Sequence, residues 1–391
     1  MSVSQTVRPP VGSKEGRRRW DVLVIGCGVM GSAVTYNLAK RGLRVLNLEK
    51  FGVNHRFGSS HGKTRIIRLA YYEDPRYVPL LRRAYDAWKE VESKSGKELL
   101  HITGGIMIGK EDGELIRGAL KSAKVHGLHH DLLSPAEAEA RFEAFTIGRG
   151  YLVLYERESG VLFAEGCVRA FVGLGSEAGG EFRFSEEVKG WRSGTEGVEV
   201  ETSGGMHVAD KLVVCGGAWN ERLLKGVVPL QTERQVPIWF ASRGEAKFAP
   251  PKMPVFIMEE KKDVFYYGIP DVGHGVKVGR SHGGVVGDPD GLSREVTESD
   301  IAPVREFVSR RLPKLDGPPI ASTTCLYSNT PDGNFAVGQH PADQRVVVVS
   351  ACSGHGFKFA SVLGEQVAEL ATEGRTSIDI SFLDPGRFRS E

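Results

Sequence analysis

The residues of this sequence best suited to chemistry are cations set among glycines and hydroxyls. His61, Arg65 and Arg68 fall in the stretch Gly58-Ser59-Ser60-His61-Gly62-Lys63-Thr64-Arg65-Ile66-Ile67-Arg68. That composition suits either a loop beside a charged ligand or a solvated basic loop. Lys358 follows the turn Gly354-His355-Gly356-Phe357 and is expected to open the last helix. There a helix N-terminus and an ammonium bring positive charge to one place, although a first-turn lysine is ordinarily solvated. Lys277, between Val276 and Val278, alternates with apolar neighbours and reads as an exposed strand lysine. Cys325 reads as a buried structural thiol, and Tyr327 falls on the same strand face two residues later.

A second kind of site is written in the glycines near the start. Asp21-Val22-Leu23-Val24-Ile25 is a near-continuous apolar run, as for a buried parallel strand, and it ends on Gly26-Cys27-Gly28-Val29-Met30-Gly31. Met30, Ala33, Val34 and Leu38 then recur at helical spacing until Gly42, and Arg44–Leu48 makes a second strand ending at Glu49. Glycines clear the approach of a pyrophosphate to the helix N-terminus, and a carboxylate at the second strand's end accepts hydrogen bonds from ribose hydroxyls. Strand, turn, helix, strand and acid in this register point to a dinucleotide. The turn alone leaves flavin and nicotinamide dinucleotides open.

The rest of the chain must position these groups. Asp74-Pro75 reads as a cap and first-turn proline leading a helix with Tyr77, Leu80, Leu81, Ala84, Trp88 and Val91 on one face. Gly105-Ile106-Met107-Ile108 suggests a change of domain. From Tyr151 a helix starting near Ala164, a hairpin at Ser203-Gly204-Gly205 and the strand Lys211–Val214 before Cys215-Gly216-Gly217 return to βαβ-like grammar. Residues 226–327 are strand-rich with one amphipathic helix around Ile301–Leu312, and the chain closes with Val346–Val349, the Gly354 turn and a helix ending before Gly374. The expected class is α/β (α+β overall): a Rossmann-type domain from 20–100, 151–225 and 328–385, interleaved with a mixed-sheet substrate domain from 101–150 and 226–327. Residues 1–19, with Arg17-Arg18-Arg19, read as a disordered tail.

At 391 residues the chain exceeds what one core ordinarily serves. The 51 Lys+Arg nearly balance 49 Asp+Glu, which argues against a nucleic-acid partner. Five scattered cysteines suggest neither a disulfide framework nor a metal site, and a reducing compartment fits them. No apolar run reaches the ~18 residues of a membrane span, and Arg389-Ser390-Glu391 is not a Ser-Lys-Leu peroxisomal address. A cytoplasmic protein is expected, with the peroxisome left open.

From Gly58 to Arg68, and again at Val213-Val214-Cys215-Gly216-Gly217-Ala218-Trp219-Asn220, Cys325-Leu326-Tyr327-Ser328-Asn329-Thr330-Pro331-Asp332 and Ser353-Gly354-His355-Gly356-Phe357-Lys358, the sequence resembles the monomeric sarcosine oxidase family. That family includes the sarcosine/pipecolate oxidases and other D-amino-acid-oxidase-like FAD-dependent oxidoreductases. The resemblance implies FAD, attached covalently through Cys325. It implies a cofactor wall of Gly26, Gly28, Val29, Met30, Gly31, Glu49, Lys50, Gly58, Ser59, Ser60, Arg65, Ile66, Val188, Gly216, Gly217, Trp219, Cys325, Gly354, Gly356, Phe357 and Lys358. It also implies that Arg68 and Lys358 pair with a substrate carboxylate, that His61 and Arg65 lie against the flavin, that Lys277 speeds oxygen reduction, and that Tyr327 lines the amine site. The implied reaction oxidises a secondary amino acid with O2 to an imine and hydrogen peroxide, without metal, in a monomer. A pipecolate/proline oxidase, a fructosyl amino acid oxidase and a flavin dehydrogenase with another acceptor are the alternatives. Arg280-Ser281 departs from the aromatic and histidine usual in related sarcosine oxidases, with His282 next door, and Arg280 is a candidate to recruit a second carboxylate.

Overall fold

The computed structural model describes residues 19–224 and 226–389. The tail expected at 1–19 therefore lies outside the described residues except for Arg19, which is already strand, and so do Ser390 and Glu391.

The unit β1 (Arg19–Ile25), α1 (Val29–Ala39) and β2 (Val45–Leu48) forms where the sequence places it. β1 pairs in parallel with β2 on one side and with Gly205–Val214 on the other, and Gly205–Val214 continues in parallel to Asp343–Ser350. Strands contributed from three distant stretches thus make one sheet. α1 departs from the expected single apolar stripe, because all its residues but Met30 are buried. Helices Ala164–Glu177 and Ala360–Glu373 flank it, and a Cβ on Gly364 would come 2.9 Å from the Ala33 backbone, so glycine sets that close approach.

A second eight-stranded sheet contains Ile238–Phe240, Val276–Ser281, Val264–Ile269, Val255–Lys261, Gly105–Gly109 and Leu152–Glu156 in that spatial order. Leu152–Glu156 pairs antiparallel with Gly105–Gly109, so this strand joins the second sheet and not the Rossmann sheet to which a division at residue 151 assigns it. Apolar run length identifies a strand but does not choose its partner. One face of this sheet carries Val276 and Val278 into a core with Phe240, Phe256 and Phe307 of helix Glu298–Arg311. Alternation turns Lys277 to the other face.

Two smaller sheets, of three and two strands, accompany the two large ones. Thr64–Ile67 pairs with Gly160–Phe163, and Cys325–Asn329 pairs with Gln231–Gln235. Among the described residues no helix is long and apolar enough to cross a membrane.

Candidate active site

The glycine turn is held by backbone contacts that leave no room for side chains. Gly26 has φ +92°, and a Cβ there would meet the Cys215 carbonyl at 2.5 Å. At Gly31 it would stand 1.8 Å from the Gly26 carbonyl. The Glu49 carboxylate accepts from the amides of Cys27 at 2.7 Å and Phe51 at 2.9 Å, which fixes it beside the turn at the end of β2. Ser60 Oγ accepts from the Val29 amide at 3.0 Å and ties the first helical turn to the basic loop.

From this turn a cavity of about 1000 Å³ runs to the second sheet. Every residue expected on the cofactor wall lines it except Gly31, which sits behind the turn. Lys50 is on the wall but is also engaged with Glu187 at 2.9 Å and Asp290 at 3.3 Å. Thr64 Oγ1, Asn54 Oδ1, Asn329 Oδ1 and Ser350 Oγ are buried without a hydrogen-bond partner, and their residues line the cavity. Buried polar atoms of this kind call for a partner, so the wall fits a long polar dinucleotide with hydroxyls and ring heteroatoms.

The basic loop divides its residues between wall and support. Arg65 donates from Nη2 to the carbonyls of Ser59 at 2.6 Å and His61 at 2.7 Å, and that nitrogen lies 3.8 Å from Cys325 Sγ. Its guanidinium stands 5.5 Å from the Phe357 ring centre. His61 is not on the cavity wall. It is buried, and burial followed by the Arg65 charge pulls its pKa down to about 4, so the ring is neutral. Glu165, at the start of a helix, holds this loop by accepting from Gly62 at 2.8 Å and Lys63 at 3.1 Å.

Lys277 is buried and donates to the carbonyls of Gly62 and Thr64, each at 2.9 Å. Burial, with the nearby Arg65 charge, pushes its pKa well below the ordinary lysine value. It is thus no exposed strand lysine; the fold places it over Trp239 at the cavity wall.

Arg68 and Lys358 are both buried and both on the wall. Arg68 meets a carboxylate of the chain itself: Glu73 accepts through both oxygens at 2.7 Å. Lys358 sits in the single turn Phe357–Phe359 just ahead of the last helix, and donates to the His355 carbonyl at 2.6 Å. Burial and then Arg68 bring its pKa down to about 7, with Glu73 opposing them. Burial pushes the Glu73 carboxyl up, but Arg68, His355 and Lys358 overcome this and hold it below its ordinary value. The buried Glu156 carboxylate fixes the following bend by accepting from the amides of Leu69 at 2.7 Å and Ala70.

Sequence reasoning missed Glu73, although its spacing of five from Arg68 in Arg68-Leu69-Ala70-Tyr71-Tyr72-Glu73 was available. It also missed the apolar wall formed by Tyr72 and Phe265, stacked at 5.8 Å, with Ile257 and Tyr267. Tyr327 lines the cavity as expected, and His282 meets its ring edge-on at 5.3 Å. Arg280 corrects an expectation. It alternates to the core side of its strand with Val278, leaving Ser281 and His282 on the cavity wall, so it is not placed to take a second carboxylate.

Residues 21–370 match the family described as FAD dependent oxidoreductase. The chain is 41% identical to the monomeric sarcosine oxidase of Streptomyces avermitilis over 374 residues, covering 94% of this chain and 97% of the relative. It is 37% identical to the monomeric sarcosine oxidase of a Bacillus species, covering 94% of this chain and 96% of that one. It is 34% identical to N-methyl-L-tryptophan oxidase of Yersinia pestis, covering 95% of this chain and all of that protein. Among solved structures, the open form of NikD, an unusual amino acid oxidase essential for nikkomycin biosynthesis, superposes with a TM-score of 0.83 at 24% identity, over 94% of this chain and 97% of that one. That likeness concerns the fold. With a glycine turn and acid in register, a cavity fitted to a dinucleotide and these relatives along nearly its full length, the chain belongs to the FAD dependent oxidoreductase family and, within it, to the family of the monomeric sarcosine oxidases.

Proposed function

We propose that the protein oxidises a secondary amino acid of the N-methyl type, with O2 as electron acceptor. One observation carries this reading: two buried cations, Arg68 and Lys358, stand on the wall of the dinucleotide cavity. The names of its relatives, sarcosine oxidase and N-methyl-L-tryptophan oxidase, support the same substrate class. FAD, when bound, accepts a hydride from the carbon next to nitrogen and passes the electrons to O2, giving hydrogen peroxide, and the imine product hydrolyses.

The chain's own residues do the rest. Arg68 exchanges its Glu73 partner for the substrate carboxylate, Lys358 supplies the second positive charge, and Tyr72, Phe265, Ile257 and Tyr267 form an apolar wall beside them. Positioning is the main contribution, because a clamped carboxylate and an apolar wall beside it leave little freedom to the carbon next to nitrogen. Lys277 provides a fixed, dry cation for oxygen reduction. Cys325 Sγ, on the wall beside Arg65, provides the covalent tether to the flavin. The relatives' name supports a single-chain enzyme, and five free cysteines support a reducing, cytoplasmic setting.

Anaerobic mixing with sarcosine, N-methylalanine, N-methyltryptophan, proline, pipecolate and glycated amino acids tests the assignment. Bleaching of the flavin is expected to be fastest with an N-methyl amino acid. Fastest bleaching by pipecolate or proline makes it a cyclic imino acid oxidase, and bleaching by none of the panel removes the reading.

A further inference from the structure

Tyr71 lies one layer behind the carboxylate site and is fully buried. Both cations of that site stand over its ring, with Arg68 Cζ at 4.3 Å and Lys358 Nζ at 5.3 Å from the ring centre. Two like charges brought together in a dry site repel, and neither can be relieved by water. An aromatic face is electron-rich and attracts a cation over it, more strongly where both are desolvated. Arg68 has further partners in Glu73 and, at 4.8 Å, the Tyr72 ring, whereas the Lys358 ammonium donates to the His355 carbonyl and has a second ring, that of Phe359, at 5.5 Å.

The ring itself is pinned. Tyr71 Oη meets His355 Nδ1 at 2.5 Å, and His355 Nε2 reaches the Gly333 carbonyl at 3.0 Å. A carbonyl only accepts, so Nε2 carries the proton and Nδ1 accepts from the tyrosine hydroxyl. The Phe359 ring stands perpendicular to the Tyr71 ring with centres 5.4 Å apart, and Ser122 Oγ donates to the Tyr71 carbonyl. His355 therefore belongs to both halves of the device: its side chain fixes the ring, and its carbonyl fixes the lysine.

We propose that Tyr71 is a positioning residue of the substrate site, whose ring face holds Arg68 and Lys358 together as a two-cation clamp and keeps Lys358 charged. This rests on the reading of Arg68 and Lys358 as the carboxylate ligands. Groups facing the Lys358 ammonium are Arg68 and Arg65, which disfavour its proton, Glu73 and the faces of Tyr71 and Phe359, which favour it, and His355, whose neutral ring leaves its carbonyl as the contact. Weakening the ring face moves loss of the Lys358 proton to lower pH.

Acetate, which has a carboxylate but no oxidisable amine, is the probe, titrated into the flavin-loaded protein and followed by the perturbation of the flavin spectrum between pH 6 and 9. Replacing Tyr71 by Phe keeps the ring and the fold but drops the hydroxyl; a ring-fluorinated phenylalanine at the same position keeps the shape and withdraws the electrons from the face. Acetate is expected to bind the fluorinated protein about tenfold more weakly than Tyr71→Phe, with its alkaline limb at lower pH. Equal dissociation constants and equal limbs for those two proteins overturn the proposal. Lys358→Met is the separate control. If it binds acetate as the unaltered protein does, the carboxylate clamp itself is wrong, and the role of Tyr71 falls with it.

Discussion

Arg68 Nη2 donates to both carboxylate oxygens of Glu73 at 2.7 Å, so the arginine assigned to the substrate already holds a carboxylate of its own chain. This partner keeps a buried guanidinium compensated, and on the proposed reading substrate displaces it. Glu73→Gln removes that competitor. Acetate binding at pH 6 is expected to tighten by about fivefold, on the order of 1 kcal/mol. The loss of Glu73's charge also shifts the alkaline limb to lower pH, since Glu73 favours the Lys358 proton. Weaker binding at pH 6 would show that Glu73 orients Arg68 and does not compete for it.

Lys358 produces two opposite pH trends. Its folded pKa of about 7 lies below the ordinary lysine value of 10.5, so between those values the unfolded chain binds a proton that the folded chain lacks. Folding stability from this group therefore rises with pH across that window and is lost as pH falls toward 7. Carboxylate affinity runs the other way, because the charged lysine disappears above pH 7. Compared with Lys358→Met, the unaltered protein should gain in thermal midpoint from pH 7 to 10 while its acetate affinity declines. Parallel midpoints for the two proteins over that range would place the Lys358 titration elsewhere.

Lys277→Met separates the two half-reactions. Its Nζ is held by two carbonyls and excluded from water, and on the proposed reading it acts on charge developing on oxygen. Reoxidation of the reduced enzyme by O2 is expected to slow by about 10²–10³-fold, in stopped-flow mixing, while anaerobic reduction by substrate changes far less. An unchanged reoxidation rate removes Lys277 from the oxygen step.

Acid precipitation reads the tether. With the native thiol, the yellow colour should stay in the pellet; with Cys325→Ser it should pass entirely to the supernatant. Colour retained by the serine variant would move the attachment elsewhere, Cys352 being the neighbouring thiol on the same cavity wall.

The glycine turn gives a paired test of stability. Gly31→Ala sets a methyl 1.8 Å from the Gly26 carbonyl, so the turn cannot close and the purified protein should lack flavin absorbance. Gly42 has positive φ, +81°, but nothing lies within 4 Å of its Cβ position. Gly42→Ala should cost only about 1–2 kcal/mol in denaturant unfolding and keep its flavin.

The sequence by itself determined what is local. The turn from Gly26 to Gly31 with Glu49 at the end of β2 is legible because strand, helix and glycine requirements belong to consecutive residues. Val276-Lys277-Val278 showed by alternation that Lys277 must leave the core face, but not whether it met water or a buried cavity. The stretch from Gly58 to Arg68 announced a charged site without saying that Arg65 reaches the wall while His61 stays behind it. Only the tertiary structure decided that Arg68 is already paired with Glu73, that Tyr71 backs both cations, that Arg280 turns away, and that Leu152–Glu156 joins the second sheet. The reason is physical: periodicity and turn chemistry act over a few residues, whereas charge compensation, ring contacts and strand partners join residues that only folding brings within a few ångströms.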